Sequence, residues 1–467
     1  MKMKKNFIST TLIFSICAIL LFFTQPPVSL SPSSWKLLII FIGTIAAIIF
    51  TSASMELIVL MSLAISVVTK TLTINEALFG FGTPIVIFVV FAFFISRAVI
   101  STSIGKRAAF FFISKLGGSL TGISYGLILT ELFVAPVTPS ATARGGGIVY
   151  PIAQALIDKY EHNSNNRNVS KYLVQLCFHV NVITSAMFIT AMAGNPLIVN
   201  LAQSIGVNIT WTSWALAAFV PGIISLLILP TILQFLIKPY ISDVKSASRL
   251  AQEELAKMGK IRTNEKIVLC TLVFLVTFWI LSDVIGIGHA TTAILGFLIL
   301  VLTGVMSMED AGSCSIAWRT FIWFGGFIAM SDALSSKGVT PWIGGIFSDF
   351  FSSQQTQFAI PLLLLVFFYM HYFFASITVY SSIMYTTFAL ALIKVGLNPF
   401  IACIILSFFA NLSACLTHYG ISSAPIFFSS GVVSAGNWWK NGFIISLAHI
   451  LVWSSVGYVW WHIIGYI

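Results

Sequence analysis

Hydrophobic and polar positions in this chain alternate on the scale of a bilayer rather than of a single helix face. Apolar runs of about 17–25 residues, each long enough to cross a bilayer as helix, recur near 7–24, 36–52, 54–70, 83–101, 172–204, 213–237, 266–284, 289–307, 318–336, 399–431 and 442–465. This spacing predicts about 11 transmembrane helices. Segments 118–157 and 358–394 break the rule, because each is longer than one span yet small and polar at its centre. Two half-length helices that enter and return on one side satisfy that pattern, provided the tip is covered by protein or lines a polar cavity. The fold class is therefore an all-α polytopic membrane protein with two re-entrant helical hairpins.

The hairpins occupy matched places. Ser140-Ala141-Thr142 lies at the centre of one and Ser376-Ile377-Thr378 at the centre of the other. Upstream, Ser96-Arg97-Ala98 aligns with Ser331-Asp332-Ala333; downstream, each copy reaches a helix broken near Asn195-Pro196 or Ala424-Pro425. Five predicted spans separate the hairpins, and an odd number inverts the second copy, as in inverted-repeat carriers. The expected organisation is N-terminal scaffold helices over 1–82, a first repeat over 83–237, a cytoplasmic amphipathic linker over 238–265, scaffold helices over 266–319 and a second repeat over 320–467.

Composition narrows the class. The chain is 58% hydrophobic and 8% charged, against about 25% charged in soluble domains, so an aqueous fold is excluded. A net charge of +10 would point to nucleic acid in a soluble protein. Here Lys106, Arg107, Lys115, Lys159, Arg167, Lys171, Lys440 and the basic linker fall on one side when the N-terminus is cytoplasmic, which meets the positive-inside rule without nucleic acid. A bacterial inner membrane or an equivalent organellar membrane follows. The basic start Met1–Lys5 and the apolar run after it read as an uncleaved first helix. Cys17, Cys177, Cys270, Cys314, Cys403 and Cys415 form no CxxC pair and read as small core residues.

The matched tips carry the candidate chemistry. A fixed charge at the midplane costs roughly 2.5–3.5 kcal/mol on insertion scales, whereas a helix N-terminus offers about half an elementary charge with free N–H groups. Two tips bearing Ser and Thr can grip the two ends of a small dianion. The breaks at Gly194-Asn195-Pro196 and Ser423-Ala424-Pro425 add carbonyl oxygens, so Gly194, Asn195, Ser423 and Ala424 form a candidate cation site and Pro425 borders the substrate. Arg144 either neutralises a carboxylate or ties the hairpin backbone to a scaffold helix. Arg97 and Asp332 are expected to fix helix packing, and His371 and His418 to be hydrogen-bonded structural histidines, with pH sensing as the lesser alternative.

Several stretches resemble the divalent anion:sodium symporter family, in its 2-oxoglutarate/malate translocator branch. They are Val134-Ala-Pro-Val-Thr-Pro-Ser-Ala-Thr-Ala-Arg-Gly-Gly-Gly147, Thr184-Ser-Ala-Met-Phe-Ile-Thr-Ala-Met-Ala-Gly-Asn-Pro196, Leu255-Ala-Lys-Met-Gly259 with Asn264-Glu-Lys266, Leu416-Thr-His-Tyr-Gly420, Ala424-Pro425 and Trp438-Trp439-Lys440. The resemblance covers essentially the whole chain. It implies eleven spans, a homodimer through a scaffold domain and elevator-like movement of the hairpins. It also implies that Ser140, Ala141, Thr142, Ser376, Ile377 and Thr378 contact substrate. Where the family carries Ser-Asn-Thr at both tips, this chain has Ala141 and Ile377. Neither supplies a side-chain oxygen for Na+, the coupling ion the resemblance implies; no other cofactor is expected. Exchange of 2-oxoglutarate and malate is the leading expectation, and sodium-coupled symport of succinate or citrate the alternative. An intramembrane enzyme finds no support, since HExxH and GxSxG are absent and Asp332 has no carboxylate partner in the sequence pattern.

Overall fold

A computed structural model describes residues 19, 24–51, 53–161, 168–240, 245–339, 341–342 and 356–467. The first expected span, 7–24, lies outside them apart from Ile19 and Thr24. Every regular element among the described residues is helical. Of these helices, 7 are at least 18 residues long and apolar enough to cross a membrane, and shorter apolar helices join them.

Both anomalous segments fold as hairpins. The first descends as Leu120–Val134, turns through Ala135–Val137 and extended Thr138–Ser140, and returns as helical backbone from Ala141 to Glu161. The second runs through Thr356–Met370 and His371–Phe373 and returns as Ile377–Lys394. Each expected broken helix is broken. Asn168–Met187 is followed by a turn at Ile189–Ala191 and a second piece, Gly194–Ser204. Pro399–Leu412 is followed by Ser413–Leu416 and the much shorter Ala424–Phe428.

The two helices that precede the breaks form the centre of the molecule. Nearly every residue of Asn168–Met187 and Pro399–Leu412 is buried. Their sequences explain it: Gln175, His179, Asn181, Thr184 and Ser185 on one, and Ser407 and Asn411 on the other, would be costly against lipid. A smaller apolar cluster joins Leu37, Phe41, Val59 and Leu63 of helices Pro32–Phe50 and Met55–Val68 to Phe327 and Met330 of helix Ser315–Ser336.

One element lies outside the hydropathy pattern. Ile104–Leu116, between the expected span 83–101 and the segment 118–157, is a helix in its own right. It packs against the linker helix Lys245–Met258. Arg107, read only as a cytoplasmic marker, is buried between them. Its guanidinium pairs with Glu265 at 3.0 Å and donates to the carbonyls of Gly259 and Met258 at 2.8 and 3.3 Å. Of the cysteines, Cys177, Cys314, Cys403 and Cys415 are buried as expected, but Cys270 is exposed on its helix.

Candidate functional site

Each hairpin tip is closed by its serine. Ser140 stands at the N-cap with extended backbone, and its hydroxyl accepts from the Ala143 N–H at 3.1 Å. Ser376 does the same toward the Val379 N–H at 3.5 Å. An N-cap hydroxyl satisfies one of the donors that a helix start leaves free. Ala141, Ile377 and Thr378 are buried, while Thr142 and Ser376 are half-buried.

Each tip then meets the helix break that follows the other hairpin. Thr142 Oγ1 donates to Ser422 Oγ at 2.9 Å, beside the second break. Thr378 Oγ1 lies 3.3 Å from where a methyl at Gly194 would stand, at the first break. Two asparagines complete the crossing. Asn181 donates to Glu131 and to the Ala141 carbonyl at 2.6 and 3.1 Å, and its own oxygen accepts from Ser423 at 2.8 Å. Asn411, at the corresponding place in the second repeat, donates to Asn195 Oδ1 at 2.8 Å. Thus Ser140, Ala141, Thr142, Ser423, Ala424 and the Gly194–Asn195 step are tied into one buried assembly. Pro425 lies exposed at its edge beside Ser422.

The first hairpin is braced by charge. Arg144 is fully buried; its Nε donates to Glu131 at 2.9 Å, and its terminal nitrogens reach the Thr138 carbonyl at 2.6 Å, Ser185 Oγ at 2.9 Å and the Ala191 carbonyl. The second hairpin carries Tyr380 in the matching place, and its hydroxyl donates to the Phe367 carbonyl. Both braces begin four residues after the capping serine and span 13 residues back down the hairpin. One is an ion pair and the other an aromatic strut.

The glycine run after Arg144 explains how this hairpin seats. Gly145–Val149 is a π turn, and Pro151, which has no N–H for the preceding turn, accounts for the slip in register. A methyl at Gly145 would stand 2.9 Å from Phe427 Cζ, so only glycine lets the hairpin approach helix Ala424–Phe428 this closely.

The sequence reading singled out Arg144 but missed Glu131, Asn181, Asn411 and Tyr380. A lone Glu inside the apolar run 120–134 was the available signal, since an intramembrane acid is rarely idle. His418 does accept a hydrogen bond, from Trp439 Nε1 at 3.1 Å. His371 overturns its expectation: it is buried, and neither ring nitrogen has a partner outside its own residue. Arg97 reaches Asp310 at 3.5 Å, but Asp332 is exposed and holds no packing contact by charge. Among the described residues, no three His, Cys, Asp or Glu side chains gather as a metal site.

Known proteins resemble this chain. The family described as the sodium:sulfate symporter transmembrane region matches residues 4–467. The chain belongs to that family. A member of the sodium:sulfate symporter family is a multi-pass membrane transporter and not an enzyme. Similar relatives include dicarboxylate transporter 1 of the Spinacia oleracea chloroplast, 38% identical over 96% of this chain and 80% of its own length. The Arabidopsis thaliana counterpart is 39% identical over 96% of this chain and 81% of its own length. The putative malate transporter YflS of Bacillus subtilis is 37% identical over 96% and 94%. In fold alone, the chain resembles the Alcanivorax borkumensis YdaH transporter, described as having an unusual topology: TM-score 0.56, 12% identity, 86% of this chain and 90% of that one.

Proposed function

We propose that this symporter-family member carries small dicarboxylates of the 2-oxoglutarate and malate type. In this reading it exchanges one for another by elevator-like movement of the hairpin-bearing body. The relatives named for dicarboxylates and malate support the substrate class. The two serine-capped tips supply N–H groups and partial positive charge for two carboxylates.

One observation favours exchange over sodium coupling. Carbonyls at the first hairpin tip and the first break already have protein donors: Thr138 and Ala191 receive Arg144, and Ser185 and Phe188 receive Asn195. The Asn195 amide oxygen is taken by Asn411, and Ala141 and Ile377 offer no side-chain oxygen. A hard cation takes several oxygen ligands, and the side chains of Ala141, Ile377 and Asn195 leave none free for sodium. The alternative is sodium-coupled symport of succinate or citrate, and the family's description supports its sodium part alone.

Proteoliposomes loaded with malate separate the two. The exchange reading expects external 2-oxoglutarate to enter only when malate is inside, at equal rates in sodium and potassium buffers. Uptake into empty vesicles that requires sodium would establish the symport reading instead.

A further inference from the structure

The second hairpin holds a titratable group that the grip described so far does not use. His371 closes the descending arm, in the turn His371–Phe373 at the C-terminal end of that helix. It is fully buried, and neither ring nitrogen has a hydrogen-bond partner outside its own residue. The ring lies edge-on to Tyr380 at 4.9 Å between centroids. Across from it is the loop of the second break. A methyl at Gly420 would stand 3.1 Å from His371 Cε1 and 3.0 Å from Thr417 Oγ1. Thr417 is also fully buried with its hydroxyl unpartnered.

An unpartnered buried N–H or hydroxyl is costly. Two such groups meet at the joint between a hairpin tip and a helix break, each with hydrogen-bonding capacity unused by the protein. The other titratable side chains around it are Tyr380 on the returning arm, Tyr372 next in sequence, Cys415 on the turn Ser413–Leu416 and Tyr419 on the loop. None is charged at neutral pH.

Charge balance identifies the ligand. A bound dicarboxylate brings −2, and two helix N-termini return roughly +1 between them. Arg144 adds nothing net, because Glu131 neutralises it. About one negative charge is left over in a low-dielectric site. We propose that His371 is a proton-binding site that loads together with the dicarboxylate, an inference that rests on the carrier function above. An N–H bond forms on the free imidazole nitrogen, with the proton drawn from the aqueous face that delivers the substrate. The helix C-terminus beneath the ring favours the cation. The proton leaves when the dianion leaves.

Calorimetry on the purified protein tests this directly. Malate is titrated at about pH 6.5 in two buffers of different ionisation heat. The expected result is uptake of up to one proton per malate bound, with affinity rising by at most about tenfold per pH unit lowered. His371→Gln should remove the proton uptake and flatten the pH dependence. Binding heat without proton uptake in the unaltered protein overturns the site and leaves the carrier reading standing. No binding heat with malate, 2-oxoglutarate, succinate or citrate overturns both. Undiminished proton uptake in His371→Gln places the proton elsewhere and overturns the assignment. The measurement on the unaltered chain decides even if the variant does not fold.

Discussion

At the scale of single residues, the Glu131–Arg144 pair is the most consequential contact. Both side chains are buried, and Arg144 reaches two backbone carbonyls as well. Removing one member of a buried pair leaves an uncompensated charge, at a cost of about 3–5 kcal/mol, whereas replacing both with apolar groups is far milder. Arg144→Met and Glu131→Leu should therefore each lower the thermal midpoint in detergent sharply, and the double variant should recover much of the loss. Additive losses would show that the pair is not the brace. Thr142→Val removes the bond to Ser422, worth about 0.5–1.5 kcal/mol. It should raise the KM for exchange by roughly 2- to 12-fold with normal insertion; an unchanged KM would place the substrate elsewhere. Arg144 was legible in the sequence because a charge beside a glycine run in an apolar segment stands out. Its partner Glu131, the lone acid of the same segment, was equally visible but was not read as a partner, because the pairing appears only once the hairpin folds back on itself.

Among elements, hairpins and breaks were the most readable features. Length, a polar centre and a proline near each break gave both the hairpins at 118–157 and 358–394 and the interrupted helices after them. Helix Ile104–Leu116 escaped notice because Gly105, Lys106 and Arg107 open it and hide its apolar face. The π turn Gly145–Val149 also went unread, since three glycines in sequence do not say which of them touches a neighbour. The structure does. Gly145 faces Phe427 at closed range, while a methyl at Gly147 would meet nothing within 4 Å. Gly145→Ala should cost about 1–3 kcal/mol of overpacking and slow exchange, and Gly147→Ala should leave both melting and exchange near normal. Equal tolerance of the two substitutions would mean that this seating is not tight.

For the whole molecule, the unlike braces of the two hairpins have a consequence for direction. In a carrier made of two inverted copies, swapping the conformations of the copies converts one facing state into the other. Identical copies would make those states equal in energy. Here one copy carries an ion pair and the other a tyrosine–carbonyl strut over the same 13-residue span. On the carrier reading, the two facing states would then differ in energy, and the empty carrier would dwell longer on one side of the membrane. Half-saturation by malate, measured from each face of oriented vesicles, should differ several-fold, a gap that Glu131→Leu with Arg144→Met should narrow. Equal values on both faces would mean that the braces do not tilt the equilibrium. An exchanger built this way would run reversibly, yet wait for its next passenger at a preferred door.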